Sequence, residues 1–569
     1  AGRESPAPGC SGGWGMISWV VWPLRSLVIA LRNLRRRLGR APDFVLILIE
    51  AEGPELPEPR PRLWQRLAGM RRPASMLELG SDLRRLAADP RVQGVVLHLR
   101  PLDLTPARTE TLRGLLLGLR QAQKRVLVYS SGYTSSTYRV ACAADQILLL
   151  PGGEVGPLGV SHEYRYLADG LARIGLQAQF ERVSPFKSAP DRLGRSSMSD
   201  EVREMSGWLA DAAFGELRSD LASGRGLDQD RVAELIERSP LTDQEALDLG
   251  AVDHVMSEEQ IARHLGRTIV PWARARSRIR LPRPPRPGPS VALVRVQGAI
   301  VDGRSSRAPL RPPLQVPMLL DARAGDLSVI EAVRRAARSR RVAALVLWVD
   351  SPGGSSTASE AMASALEELA RRKPLVAAVG AMAASGGYYV MTPARAAFAQ
   401  PGSLTGSIGV YSGKIVNAGL FDLLSVGREL VQRGSGMSVM TPARPWTDSE
   451  RARVRSGIDR VYDLFLNRVA GFRQRSREDI LPLAGGRVFS GRQALERGLI
   501  DQLGGLEQAI QKARELAGLR ADAPVREIHP RGEVSALAPG SSVLDRLLHA
   551  LETAELLNRA ACLTMTELL

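Results

Sequence analysis

At 569 residues the chain is too long for a single hydrophobic core and needs at least two domains. With 44% apolar and 24% charged residues its composition is that of an ordinary globular protein, and the widely separated Cys10, Cys142 and Cys562 exclude both a disulfide framework and a zinc spacing. The net charge of +17 is carried mostly by arginines, with no aromatic residues interleaved along a basic stripe, which argues for a solvated surface or attraction to anionic lipid and against a nucleic-acid groove.

Residues 1–15 are small and polar, and an irregular start is expected. Met16–Leu31 (MISWVVWPLRSLVIAL) is apolar and tryptophan-rich but holds Pro23 and Arg25, and it falls short of the roughly 20 apolar residues that a spanning helix needs. Followed by RNLRRRLGR, it predicts an interfacial anchor with tryptophans at the acyl boundary and arginines at the headgroups, so residues 1–42 form a membrane-associating segment. From Phe44 the pattern alternates: a strand over 45–53, a Pro-rich loop, a helix near 77–88, a strand over 92–100, a helix near 107–123 and a strand over 125–130. Such alternation predicts an α/β fold with a parallel sheet of βαβ units.

The second half repeats the first. At an offset of 250, Val95-Val96-Leu97 meets Leu345-Val346-Leu347, Tyr138 meets Tyr388, and VGPLGV (155–160) meets TGSIGV (405–410). LTDQEALDLGAVD (241–253) then matches FSGRQALERGLID (489–501) at an offset of 248. Two copies of one α/β unit account for this register. Residues 43–280 form the first copy, the Pro-rich 281–290 a stiff linker, 291–525 the second copy and 526–569 a tail with one helix from Val543 to Leu556. A further Pro-rich stretch, Arg304–Val316, predicts an exposed loop.

Chemistry is expected where the copies differ. In GAMAASGGYYVMTPA (380–394) an apolar strand, Leu375–Val379, leads through small residues to Ser385, and Gly386-Gly387 opens a helix. A serine at such a junction exposes its hydroxyl beside helix-start N–H groups; a small-residue cap packed on a sheet is the plainer reading. The first copy has YTSSTYR (133–139) there, with Ser135 opposite Ser385 and no glycine pair. Upstream, LVLWVDSPGGS (345–355) carries a Gly353-Gly354 turn that can present backbone N–H groups, where the first copy has VVLHLRPLDLT (95–105). The reverse holds for Lys187, in ERVSPFKSAPDR (181–192), which falls opposite Met437. A loop lysine is usually solvated, but in an apolar pocket its amine loses its proton far more readily, as an arginine cannot. One composite site results: Ser385 as nucleophile, Lys187 as general base, the N–H groups of Gly354 and Gly386 for the oxyanion, and Ser407 orienting the lysine unless it is a mere turn serine.

With these residues together, the chain resembles the signal peptide peptidase A family of serine proteases in its long, duplicated form. DSPGGS, GAMAASGGYY, TGSIGV and GRVFSGRQALERGLIDQLGG (486–505) match its pattern in order and spacing, over roughly residues 43–525. The resemblance implies a tandem duplication of a Clp protease/crotonase-like ββα unit, with no metal and no cofactor. It also implies Ser385, Lys187 and Ser407 in the roles above, with the oxyanion held at Gly354. A homotetramer associated with the bacterial inner membrane, acting on remnant signal peptides and other hydrophobic peptides, is expected. The segment 16–31 departs from the family in being shorter and more polar than a transmembrane helix.

Rival readings make distinct demands. A crotonase-class acyl-CoA enzyme would use the glycine turns for an enolate and leave Lys187 idle. A non-catalytic membrane scaffold would need neither group. GVYSGKI (409–415) has three residues between its glycines where a P-loop has four, and Ile415 where Ser or Thr is required. A Ser-His-Asp triad would draw on His162, after the VGPLGV turn.

Overall fold

The computed structural model describes residues 13–58, 73–307, 322–530 and 534–535. Residues 1–12, most of the Pro-rich stretch 304–316 and the expected helix Val543–Leu556 lie outside them.

The first copy is built on a six-stranded sheet in the order His254–Val255, Gln146–Leu149, Arg125–Ser130, Gly94–Leu99, Phe44–Ile49, Ile269–Pro271, every pairing parallel. Its inner strands are near-continuous apolar runs because both faces are covered, as parallel sheets require. One face packs Val95, Leu97, Val126 and Val128 under the helices Met76–Ala87 and Pro106–Gln121, and the other buries Val96, Leu127 and Leu148. The first strand ends at Ile49, short of the expected 53, because the chain turns there to Glu52, whose carboxylate accepts from Thr105 N at 2.8 Å.

The second copy repeats the plan. Ser290–Gln297, Val342–Ser351 and Leu375–Ala384 pair in parallel, with Val525–Glu527 at the edge. The strand Leu375–Ala384 holds two parallel neighbours in succession, Ala396–Ala399 along its start and Leu404–Gly406 along its end. Ser290 already belongs to the sheet, its N–H donating to Arg341 O, and Val525–Glu527 extends the second copy past residue 525.

The two copies are laced together. Leu56, from the first, is buried in an apolar layer of the second with Val291, Leu293 and Trp348. Gln177–Arg182 of the first pairs antiparallel with Tyr411–Val416 of the second.

The N-terminal segment is one helix, Gly13–Leu38, which starts inside the stretch expected to be irregular and runs on through Pro23 and the arginines. It is pinned to the linker: Trp22 Nε1 donates to Pro284 O at 3.3 Å, and the Asn33 side chain donates to Leu281 O at 3.0 Å and accepts from Leu281 N at 2.8 Å. Leu24, Leu27, Val28, Leu31 and Leu34 stay exposed along it. No helix among the described residues is long and apolar enough to cross a membrane.

Candidate active site

The strand Leu375–Ala384 runs five residues beyond Val379 because Met382, Ala383 and Ala384 find partners in Leu404–Gly406. Ser385 follows with φ 52° and ψ −119°, a conformation that costs a non-glycine residue about 1–3 kcal/mol. Its N–H donates to Gly406 O at 2.9 Å, and its carbonyl accepts from Tyr389 N at 2.9 Å, opening the helix Gly386–Tyr389. The turn is crowded enough to demand glycine: a Cβ on Gly387 would lie 2.5 Å from Ser351 O.

Lys187 arrives from the first copy, in the turn after Gln177–Arg182, and is only 3% exposed. Its Nζ lies 3.0 Å from Ser385 Oγ, 2.9 Å from Ser407 Oγ and 3.0 Å from the Ser407 carbonyl oxygen. Ser407 is itself held at φ 51°, its N–H donating to Arg487 O at 2.7 Å. The lysine turn fits over the second copy because position 486 is glycine, at φ 95°, where a Cβ would fall 2.5 Å from Lys187 Cα. Reading the sequence missed Gly486, although it opens the GRVFSGRQALERG motif; a glycine's clearance depends on which distant segment crosses it.

The Gly353-Gly354 turn is anchored on Ile300, whose N–H donates to Gly353 O at 2.8 Å and whose carbonyl accepts from Ser355 N at 2.9 Å. Gly353 N donates to Ser351 Oγ at 3.1 Å. The turn closes on Ser385: a Cβ on Gly353 would lie 2.7 Å from Gly386 N, and one on Gly386 would lie 3.4 Å from Gly354 N. The backbone nitrogens of Gly354 and Gly386 therefore both lie close to the contact between this turn and Ser385.

All five residues, Ser385, Lys187, Ser407, Gly354 and Gly386, line one cavity of about 870 Å³. Its remaining wall is largely apolar and includes Phe186, Val202, Met205, Leu209, Met382 and Val488. Asp191, four residues after the lysine, also lines it. Burial pushes the Asp191 carboxyl up against the pull of Arg182, which donates to it at 2.6 Å. At the rim, burial of Glu360 is outweighed by hydrogen bonds from Arg468 and Tyr389, which hold its carboxyl below the usual range.

The other sequence candidates lie elsewhere. Ser135 is the first residue of the helix Ser135–Ala141, with Oγ 3.0 Å from Pro157 O and accepting from Gly159 N at 3.0 Å, so the first copy's hydroxyl is engaged. His162 is not among the cavity's lining residues, and burial lowers its pKa. Met437 is 76% exposed in the short helix Ser435–Ser438, and Tyr411–Val416 is a strand with no phosphate-cradling loop. Among the described residues, no group of three or more His, Cys, Asp or Glu could hold a metal ion.

A hydroxyl, an amine and two neighbouring backbone amides lining an apolar cavity are groups that acyl transfer uses. The model of peptidase family S49 matches the chain twice, over residues 118–268 and 367–520, once in each copy and over more than half the sequence in all. The chain belongs to peptidase family S49. Its relatives include the chloroplastic serine protease SPPA of Arabidopsis thaliana, 26% identical over 461 residues, the match covering 78% of this chain and 66% of that protein, just under two thirds of its length. Protease 4 of Haemophilus influenzae is 28% identical over 466 residues, covering 77% of this chain and 72% of its own. Among solved structures, a ClpP1 mutant from Listeria monocytogenes matches 38% of this chain and 94% of its own, with 12% identity and a TM-score of 0.24, a likeness too slight to add to the fold described above.

Proposed function

We propose that the protein is a serine endopeptidase that cleaves hydrophobic peptides, remnant signal peptides among them, through a Ser-Lys dyad and an acyl-enzyme. The observation that carries this reading is the 3.0 Å approach of the Lys187 amine to the Ser385 hydroxyl, each supplied by a different copy. A neutral amine whose hydrogens point at the carbonyl and hydroxyl of Ser407 turns its lone pair to Ser385. Ser385 Oγ then bonds to the scissile carbonyl carbon as its proton passes to Lys187 Nζ, and the N–H groups of Gly354 and Gly386 receive the oxyanion. Collapse of the tetrahedral adduct breaks the C–N bond, and Lys187 returns the proton to the leaving amine. Water, deprotonated by Lys187, hydrolyses the ester and frees Ser385. The apolar cavity suits hydrophobic side chains.

The exposed leucines and flanking arginines of the helix Gly13–Leu38 support docking on an anionic membrane surface, consistent with the proposed association with the bacterial inner membrane. A homotetramer is part of the same reading.

The test is labelling by a fluorophosphonate together with turnover of an apolar peptide. Wild type labels and turns over, Ser385→Ala does neither, and both Lys187→Met and Lys187→Arg lower turnover by about 10³-fold or more, since a guanidinium cannot serve as base. Labelling that survives Ser385→Ala, or full turnover by Lys187→Met, overturns the proposal; the second outcome would point to an acyl-CoA enzyme or a scaffold of this fold.

A further inference from the structure

The two copies carry a polar tie at matching positions. The helices Asp200–Arg225 and Asp448–Arg473 have the same length and match at an offset of 248, while Pro106–Gln121 and Ser356–Ala370 start 250 apart. These offsets set Glu110 against Glu360, Arg139 against Tyr389 and Asp220 against Arg468. In the first copy Arg139 is the hub, donating to Glu110 and, through Nε at 2.7 Å, to Asp220. In the second copy Glu360 is the hub. It accepts from the Tyr389 hydroxyl and from Arg468 Nε at 3.0 Å, and Arg468 also donates to Glu367 at 2.9 Å. The charges are permuted between copies, yet the same three positions are joined in both.

Only in the second copy does the tie have catalytic groups on both sides. Tyr389 ends the one-turn helix Gly386–Tyr389, and its N–H donates to Ser385 O at 2.9 Å. Glu360 lies on the helix Ser356–Ala370, which is capped by Ser355 directly after the Gly353-Gly354 turn. The two helices meet where Gly386 passes Ser359: a Cβ on Gly386 would fall 2.5 Å from Ser359 Oγ. Gly386 N belongs to one side of this contact and Gly354 N to the other, so their spacing follows from how one helix seats on the other. The Tyr389 ring packs against Phe465, centroids 4.9 Å apart, which sets its depth. Apolar packing is non-directional, whereas a hydroxyl donating to a carboxylate is short and directional and fixes the register of the two helices.

We propose that Glu360, acting through the Tyr389 hydroxyl, sets the spacing of the Gly354 and Gly386 amides and is a positioning residue for acyl transfer. The inference rests on the peptidase reading given above. Those amides bind the oxyanion of the tetrahedral adduct far more strongly than the substrate carbonyl, so a change in their spacing lowers kcat and leaves KM nearly as it was. The first copy supplies an internal control. Its tie joins the same elements, but Ser135 Oγ is engaged by Gly159 N and no glycine turn stands opposite, so Glu110 and Arg139 hold scaffold alone.

The test uses the full chain and reads kcat and KM for an apolar peptide together with the rate of fluorophosphonate labelling. Tyr389→Phe keeps the ring and removes only the hydroxyl; kcat and the labelling rate fall about tenfold while KM changes less than about twofold. Glu360→Gln behaves alike, and the double variant is no slower than either single one, because both remove the same link. Glu110→Gln, the same substitution in the first copy, lowers the unfolding midpoint and leaves kcat unchanged; should it fail to fold, the cycle on Tyr389 and Glu360 decides by itself. An unchanged kcat in Tyr389→Phe, losses that multiply in the double variant, or an equal loss of kcat in folded Glu110→Gln overturns the inference. So does a rise in KM at constant kcat, which would make Glu360 a contact to bound substrate. A wild type that neither labels nor turns over removes the peptidase reading itself, whereas a fully active Tyr389→Phe removes this inference alone.

Discussion

Ser385 and Ser407 both sit at positive φ, and each is held by a backbone hydrogen bond to a neighbouring turn. Both hydroxyls reach the Lys187 amine, Ser385 Oγ at 3.0 Å and Ser407 Oγ at 2.9 Å. Because the lysine is placed by backbone clearance, its position is sensitive to glycine. In Gly486→Ala the new Cβ meets Lys187 Cα at 2.5 Å and the residue keeps an unfavourable φ of 95°. The turn must move by about 1 Å, and we expect kcat to fall about 100-fold with KM little changed. An unchanged kcat in Gly486→Ala would show that this clearance does not place the lysine.

The element that joins the two halves of the site is an aromatic stack. Trp208, on the helix Asp200–Arg225, lies between Phe186 and Phe489, with centroids 6.1 and 5.9 Å away. Its Nε1 donates to Val488 O at 2.9 Å, and Arg487 covers the outer face of Phe186. Phe186 precedes Lys187 in the chain, so the stack clamps the lysine turn of the first copy to the strand Val488–Ser490 of the second. Trp208→Ala should cost about 2–4 kcal/mol in denaturant unfolding and lower kcat more than it raises KM. Unchanged kcat would show that the turn holds itself. Here the limits of the sequence are plain. Periodicity located the strands and helices between residues 45 and 130 within a few residues, and the divergence between copies singled out Ser385, Lys187 and the glycine turns. The clamp and Gly486 depend on segments that meet across more than 200 residues of chain, and the extension of the central strand to Ala384 depends on its pairing with Leu404–Gly406, which no pattern within the strand itself encodes.

At the scale of the whole molecule, the seam between the copies also holds charge. Glu55 precedes Leu56, the side chain that the first copy buries in the second. Burial pushes the Glu55 carboxyl up to about 7 from 4.5, with Asp350 and Glu52 adding to the rise and Arg108 opposing it. Between those two values the folded chain holds a proton that the unfolded chain has lost, so Glu55 lowers stability as pH rises through that window and has its full effect above it. Glu55→Gln should therefore be more stable than wild type above pH 7, by about 2–3 kcal/mol, and equal to it below pH 4.5. Parallel stability curves across that range would remove Glu55 from the account. The division of labour across this seam has a temporal side. Lys187 and Ser385 lie 198 residues apart, and the serine comes later. A ribosome that has delivered only the first copy has made Lys187 without Ser385, so the cavity they share is assembled only once the second copy has been synthesised.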